Sequence, residues 1–338
     1  MNKENKGFLI VLIVLAVIGL LSLIGLGVFG LMKLVDKSKP EDYDSQIEET
    51  VELEDENILE GDGKNSSVEV TEALQEYVIP EVNVSVEEEN VVLNENRLQI
   101  VFMGDSILDN FRDETGIVYL VGQAVDADVI NLAIGGTCAS IDRDDDNTNE
   151  NWNSTSGAGV AKAVCGIVSP DVLFDCTAKN LIKAHMDDFK NTDIFVIEYG
   201  VNDFMFGRQR AAEDGWDPTT YVGALRHMMD AITKTYPDAK VVMCAPTYVE
   251  FYRDNGEYVG NTYTLNNGTG TEYDYIGKME NVANEYSAFF FAFEKNGITM
   301  ENANETLLDG VHLSEAGRKI YAENLSEFIK DKVFGVND

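Results

Sequence analysis

The chain starts with an unbroken apolar run and ends in short apolar segments alternating with amphipathic ones. From Gly7 to Met32 (GFLIVLIVLAVIGLLSLIGLGVFGLM) no charge interrupts the sequence. At about 1.5 Å of rise per residue, such a helix crosses a hydrocarbon core of about 30 Å with room for tilt. The pattern predicts a transmembrane anchor. The run is too long for the apolar region of a cleaved leader, and no small-residue cleavage site follows it, so it is expected to stay attached. Lys3 and Lys6 stand before it and Lys33, Lys37 and Lys39 after it, so the positive-inside count does not set the orientation. A short tail, residues 1–6, with the whole folded portion behind the helix suits a signal anchor with its amino end inside and its domain extracellular.

Between Glu41 and Glu95 the apolar periodicity disappears, and nineteen carboxylates face the single Lys64. Too little apolar surface is available there to offset chain entropy, and like charges repel, so residues 33–95 are read as an extended acidic linker. It would hold the domain away from an anionic bilayer. Val70 to Ile79 (VTEALQEYVI) could form a short helix on the domain.

From Arg97 onward, β-branched runs alternate with helical patterns, as in parallel strands joined by crossover helices. Strands are predicted at Leu98–Met103, Val129–Ile134, Ile194–Tyr199 and Lys240–Cys244, with a weaker one near Ile298. Helices are predicted at Ile117–Val125, Ala178–Phe189, Tyr221–Tyr236, Ile276–Lys295 and Glu315–Val333, the last capped by Ser314. Residues 96–338 are therefore read as one doubly wound α/β domain. In such sheets ligands bind beyond the carboxyl ends of the strands.

Composition narrows the function classes. A net charge of −35 excludes a phosphate-backbone binder, which needs a positive face, so no nucleic-acid partner is expected. Cys138, Cys165, Cys176 and Cys244 show no CxxC or Cys/His metal spacing. Either buried free thiols or one bridge among the first three fits an extracellular domain.

Chemistry-bearing residues follow the predicted strands. After the first comes Met103-Gly104-Asp105-Ser106, which presents a serine at the head of a helix. A serine nucleophile needs a base, and the base needs a partner to fix its tautomer. Of the three histidines, His185 and His227 lie inside helical patterns, whereas His312 sits in Leu308-Asp309-Gly310-Val311-His312 before the last helix. Asp309 can reach one ring nitrogen while the other points to Ser106. Ile134-Gly135-Gly136-Thr137 and Gly200-Val201-Asn202-Asp203 follow the second and third strands, and offer a backbone N–H and a side-chain amide to an oxyanion. Each segment alone is an ordinary turn or cap; together they make one mechanism.

The set resembles an SGNH hydrolase of the GDSL esterase and lipase superfamily, from about Arg97 to the C-terminus. Gly104-Asp105-Ser106, Asn131-Leu132-Ala133-Ile134-Gly135-Gly136, Gly200-Val201-Asn202-Asp203 and Asp309-Gly310-Val311-His312 are similar to its four blocks, in order. The resemblance implies a flavodoxin-like sheet order and a triad of Ser106, His312 and Asp309. It also implies an oxyanion hole of Ser106 N–H, Gly136 N–H and the Asn202 amide, with no metal or organic cofactor. The expected reaction is hydrolysis of small acyl esters, acetyl foremost, on a cell-surface glycan. The same triad would serve O-acyl transfer to an envelope polysaccharide, and a lipase or lysophospholipase stays open because nothing fixes the acyl chain. A non-catalytic surface-binding module would need none of the five residues.

Two segments depart from a minimal domain of this kind. Thr137 to Thr192 is read as a long loop region, with Asp142, Asp144, Asp145, Asp146 and Trp152, bordering the pocket. Its aspartate spacing is similar to a calcium loop, but Asn147 replaces the turn glycine and Asn153 the bidentate glutamate, so no metal is assigned. Tyr248 to Tyr275 is a turn-rich stretch with Tyr252, Tyr258, Tyr263 and Tyr273, and its Asn255-Gly256 pair predicts a β-hairpin. Its rings would pack the hairpin or face a sugar.

Overall fold

The computed structural model describes residues 91–94, 96–142, 155–253 and 255–335. The proposed anchor, nearly all of the acidic linker and the aspartate-rich stretch 143–154 lie outside the described residues. Among the described residues no helix is long and apolar enough to cross a membrane.

In chain order the elements are β1 (Leu98–Gly104), α1 (Ser106–Asp109), α2 (Ile117–Val125), β2 (Ala127–Asn131), α3 (Gly157–Val164), α4 (Thr177–His185), β3 (Ile194–Glu198), α5 (Val201–Met205), α6 (Tyr221–Thr235), β4 (Lys240–Cys244), β5 (Glu250–Tyr252), β6 (Tyr258–Asn261), α7 (Glu272–Glu285), β7 (Phe289–Phe291), α8 (Ala303–Thr306) and α9 (Glu315–Phe328). Five strands form a sheet in the order β2-β1-β3-β4-β7, with every pairing parallel. This is the flavodoxin-like order, and its switch point lies between β1 and β3.

The strands read as continuous apolar runs because both faces of the sheet are covered. Side chains alternate between two cores: Val101, Met103, Phe195 and Ile197 face one side, Ile100, Phe102, Ile194 and Val196 the other. Helices α3, α6 and α7 supply the first core; α2 and α9, which pack together, supply the second. Truncating a fully buried Phe102 to alanine would cost about 3–5 kcal/mol.

Several boundaries differ from the sequence expectation. The last strand is Phe289–Phe291, not a segment near Ile298, and the helix expected over Ile276–Lys295 is α7, ending at Glu285. Three phenylalanines after Ser287, which has φ of 54°, break the helical period and enter the sheet beside β4. The segment 137–192 is not simply loop, because α3 runs through it with all eight residues buried. Its sequence, GAGVAKAV, spans only about two turns and carries two glycines, which are poor helix formers, in the first. Ser156 caps it by accepting from Gly159 N–H. The strand drawn to Ile134 stops at Asn131, yet Leu132 and Ile134 N–H still donate to Phe102 and Gly104 carbonyls at 2.8 and 3.0 Å. Upstream of the boundary at 96, Val91 and Leu93 pack on the first core. The hairpin exists as β5 and β6, antiparallel, and all four cysteines are free thiols.

Candidate active site

The nucleophile's position follows from the end of β1. Gly104 pairs with Glu198 in register, and a Cβ on it would lie 2.8 Å from the Glu198 carbonyl and 2.8 Å from Leu108. Only glycine lets the chain turn there. Asp105 stays extended and caps α1, its carboxylate accepting from Ile107 N–H at 3.0 Å. Ser106 is thereby the first residue of α1, with 4% of its surface exposed.

The partner turn is pinned from two sides. Leu308 N–H donates to the His312 carbonyl at 2.8 Å, and Ser314 caps α9 by accepting from Gly317 N–H. Gly310, at φ of 96°, crosses the hairpin so closely that a Cβ would lie 2.2 Å from the Glu250 carbonyl. This backbone sets His312 between Ser106 and Asp309. Nε2 lies 3.0 Å from Ser106 Oγ, and Nδ1 lies 2.7 Å from Asp309 Oδ2. The other Asp309 oxygen accepts from the N–H groups of Val311 and His312 at 3.0 and 2.8 Å.

Charges tune this line. Burial favours a neutral Asp309, but the bonds from the His312 ring and backbone outweigh it and hold the carboxyl down at about 2. Burial likewise favours neutral His312, yet the bond to Asp309 and the charges of Asp309 and Asp105 raise it above its ordinary value. The imidazole can take a proton from Ser106, with a fixed anion behind it.

Donors for an oxyanion converge from β2 and β3. Gly136, at φ of 72°, faces open space where a Cβ would stand, and neither its N–H nor that of Ser106 finds an acceptor among the described residues. Asn202 follows Gly200, whose φ of 145° is reserved for glycine. Both protons of its amide are engaged, on Asp105 Oδ2 at 3.0 Å and on the Thr137 carbonyl at 3.1 Å. Asn202 thus joins an oxyanion hole only by sharing or releasing one of these.

Several residues the sequence reading left aside build the frame. Asp109, one turn after Ser106, accepts from Gly135 N–H at 2.7 Å and pairs with Arg112 at 2.7 Å. Arg112 also donates to the Asn131 and Ala133 carbonyls, and Asn131 donates to Leu108. Nucleophile and glycine loop therefore move as one piece. Buried Asp203 accepts from Ala139 N–H and from both Ser140 groups. The i,i+3 pair of Asp109 and Arg112 was the one signal visible in sequence. His185 binds Asp188 and His227 the Trp216 carbonyl, so neither joins the site.

Beyond Gly136 a cleft of about 670 Å³ is lined by Thr137, Ser140, Asp142, Arg208 and the rings of Phe174 and Phe206, among others. Among the described residues no group of three or more His, Cys, Asp or Glu side chains is placed to hold a metal.

The model of the GDSL-like Lipase/Acylhydrolase family matches residues 102–320. The chain belongs to this family. All four blocks of the GDSL-like site fall inside that match, and the family places the chain among the SGNH hydrolases. Comparison with the curated proteins finds no match. Among solved structures, one matches with a TM-score of 0.53 at 21% identity, over 70% of this chain and 97% of that one. A protein from Lactobacillus plantarum matches with a TM-score of 0.50 at 16% identity, over 70% of this chain and 98% of its own. A carbohydrate acetylesterase family member from Sinorhizobium meliloti has a TM-score of 0.45 at 15% identity, over 71% and 100%. At these identities the first two likenesses speak for the fold alone.

Proposed function

We propose that this chain is a serine esterase that removes small acyl groups, acetyl foremost, through an acyl-enzyme on Ser106. The observation that carries the reading is the continuous line from Asp309 through both ring nitrogens of His312 to Ser106 Oγ, at 2.7 and 3.0 Å. In the proposed cycle His312 takes the hydroxyl proton as Ser106 attacks the ester carbonyl. The Ser106 and Gly136 N–H groups receive the oxyanion, and Asn202 adds a third donor by turning from Thr137. His312 then returns the proton to the leaving alcohol, and water, activated by the same ring, releases the acid.

The cleft favours a polar alcohol. A long acyl chain needs an extended apolar groove, whereas the Arg208–Asp142 pair and the exposed rings of Phe174 and Phe206 suit a glycan ester. In this reading the apolar run from Gly7 to Met32 holds the enzyme at a membrane, its domain outside. Transfer to a sugar hydroxyl uses the same groups and differs only in the acceptor.

The test is the full-length chain and its Ser106→Ala variant assayed on p-nitrophenyl acetate, acetylated xylan and acetylated peptidoglycan. Loss of turnover and of fluorophosphonate labelling at Ser106 is expected. Undiminished activity in the variant would overturn the assignment, and acylated glycan among the products would mark transfer.

A further inference from the structure

Behind the nucleophile, a second pair of carboxyl groups meets in the core. Glu198 ends the central strand β3, where the apolar run IFVIE turns acidic at its last position. Its side chain is fully buried and neither oxygen makes a well-formed hydrogen bond, although the backbone N–H of Asp105 faces it. It nevertheless stands within hydrogen-bond reach of the Asp105 carboxyl, itself fully buried. Two carboxylates cannot bond to one another, but a carboxylic acid and a carboxylate can. An anion with one weak backbone donor in a dry core is costly, and two like charges in contact more so.

We propose that Glu198 is a positioning residue for the catalytic centre: it keeps a proton and donates it to Asp105, whose anion then aligns α1, Asn202 and the charge facing His312. This rests on the esterase reading for its catalytic consequence, though not for the location of the proton. Asp105 would then accept three bonds, from Glu198, Ile107 N–H and the Asn202 amide. A buried carboxylate with three donors is satisfied, and it sets both the cap of the nucleophile helix and one proton of Asn202. It also adds a second negative charge toward His312, beside that of Asp309.

The surroundings agree with one shared proton. Burial pushes Asp105 up to about 7, against the pull of Ile107 N–H, the His312 charge and the Asn202 amide. Burial and the facing Asp105 push Glu198 well above the ordinary carboxylate range. The other titratable groups that bear on the pair add no positive charge. Glu272 on α7 and Asp203 on α5 raise it further. Cys244 on β4, Tyr199 after β3, Tyr221 on α6 and Tyr321 on α9 are themselves pushed up by burial and stay neutral. Glu198 therefore holds its proton when Asp105 has lost its own.

The experiment compares the full-length chain with Glu198→Gln and Glu198→Leu. In the infrared difference spectrum at neutral pH, wild type minus Glu198→Gln should show the carbonyl stretch of a protonated carboxylic acid. Glutamine keeps a donor toward Asp105, so kcat should remain within about threefold and the pH profile should keep its shape. Leucine removes the donor, so kcat should fall at least about tenfold at unchanged KM, with the acid limb moved to higher pH. An ionised Glu198 in the spectrum would overturn the proposal, as would a wild-type pH profile in Glu198→Leu or a tenfold loss in Glu198→Gln. If Glu198→Leu fails to fold, the spectrum and the glutamine variant still decide. If no ester is turned over, the esterase reading fails while the spectrum still reports the proton.

Discussion

Glu250 N–H donates to the Gly310 carbonyl at 2.7 Å, joining the hairpin to the turn that carries Asp309 and His312. The hairpin is thus a brace for the base. At Gly310 the backbone has φ of 96° and passes the Tyr252 ring, 3.1 Å from where a Cβ would stand. Gly310→Ala must therefore move the turn or the brace. We expect kcat to fall by about tenfold or more with KM nearly unchanged, because the loss is of alignment rather than binding. Steady-state kinetics on an aryl acetate would check it.

The Ser106, Gly136 and Asn202 blocks were legible in sequence because each follows a strand end, and the Asp309/His312 block because it pairs a carboxylate with a histidine just before the last helix. The frame behind them was not. Asp109, Arg112 and Asp203 act through backbone groups of distant loops, and no spacing along the chain encodes which carbonyl or N–H they will meet. Helix α3 escaped because it is only eight residues long and carries Gly157 and Gly159 in its first turn, where a sequence reads as loop. Glu198 lay inside the strand drawn to Tyr199 with nothing to mark it out; only the sheet register sets it beside Asp105. The strand at Phe289–Phe291 was hidden by an apolar run that suits helix and strand equally.

The pH dependence follows from the His312 pair. As a base His312 must be neutral, and its value in the fold lies above the ordinary 6.5. Activity should therefore rise with pH through a midpoint above that value. Asp309→Asn removes the bond and the larger charge that raise it and leaves burial, which lowers it, opposed only by the smaller effect of Asp105, so the acid limb should move down. Without the fixed tautomer kcat should drop by about 10³–10⁴-fold. A kcat/KM profile on both proteins is the measurement.

The same shifts set a stability window. The depressed Asp309 stabilises the fold above its unfolded value of about 4, and this is lost as pH falls toward about 2. The raised His312 stabilises the fold below its unfolded value of about 6.5, and this is lost as pH climbs through the folded one. The stability gap between wild type and Asp309→Asn should therefore be widest between about pH 4 and 6.5 in urea titrations.

Gly136 and Asn202 should fail differently. Gly136→Ala meets no atom within 4 Å, so its cost is that of a left-handed φ of 72°, about 1 kcal/mol of stability. If the peptide rotates to relieve this, one oxyanion donor is lost, worth about 10²-fold in kcat. Asn202→Ala instead removes donors from both Asp105 and the Thr137 carbonyl. Buried acceptors left unpaired cost about 1–3 kcal/mol each, so this variant should lose stability as well as rate. Equal denaturation midpoints for the two variants would refute the distinction.

Gly157 offers a test of how core packing reaches the site. It opens α3, donates its N–H to the Cys138 carbonyl at 2.9 Å, and leaves room for the Tyr199 ring and Ala139, 2.8 and 3.1 Å from where a Cβ would stand. Tyr199 precedes Gly200 and Asn202, and Cys138 and Ala139 follow Gly136 within three residues. A side chain at 157 therefore presses on both oxyanion segments. Gly157→Val should cost about 1–3 kcal/mol through overpacking, and lower Tm by about 2–4 °C per kcal/mol for a domain of this size. It should also reduce kcat, whereas Gly277→Ala, which meets no atom within 4 Å on α7, should leave kcat unchanged and raise Tm slightly. A Gly157→Val protein with wild-type kcat would show that the packing behind the loops does not reach the donors.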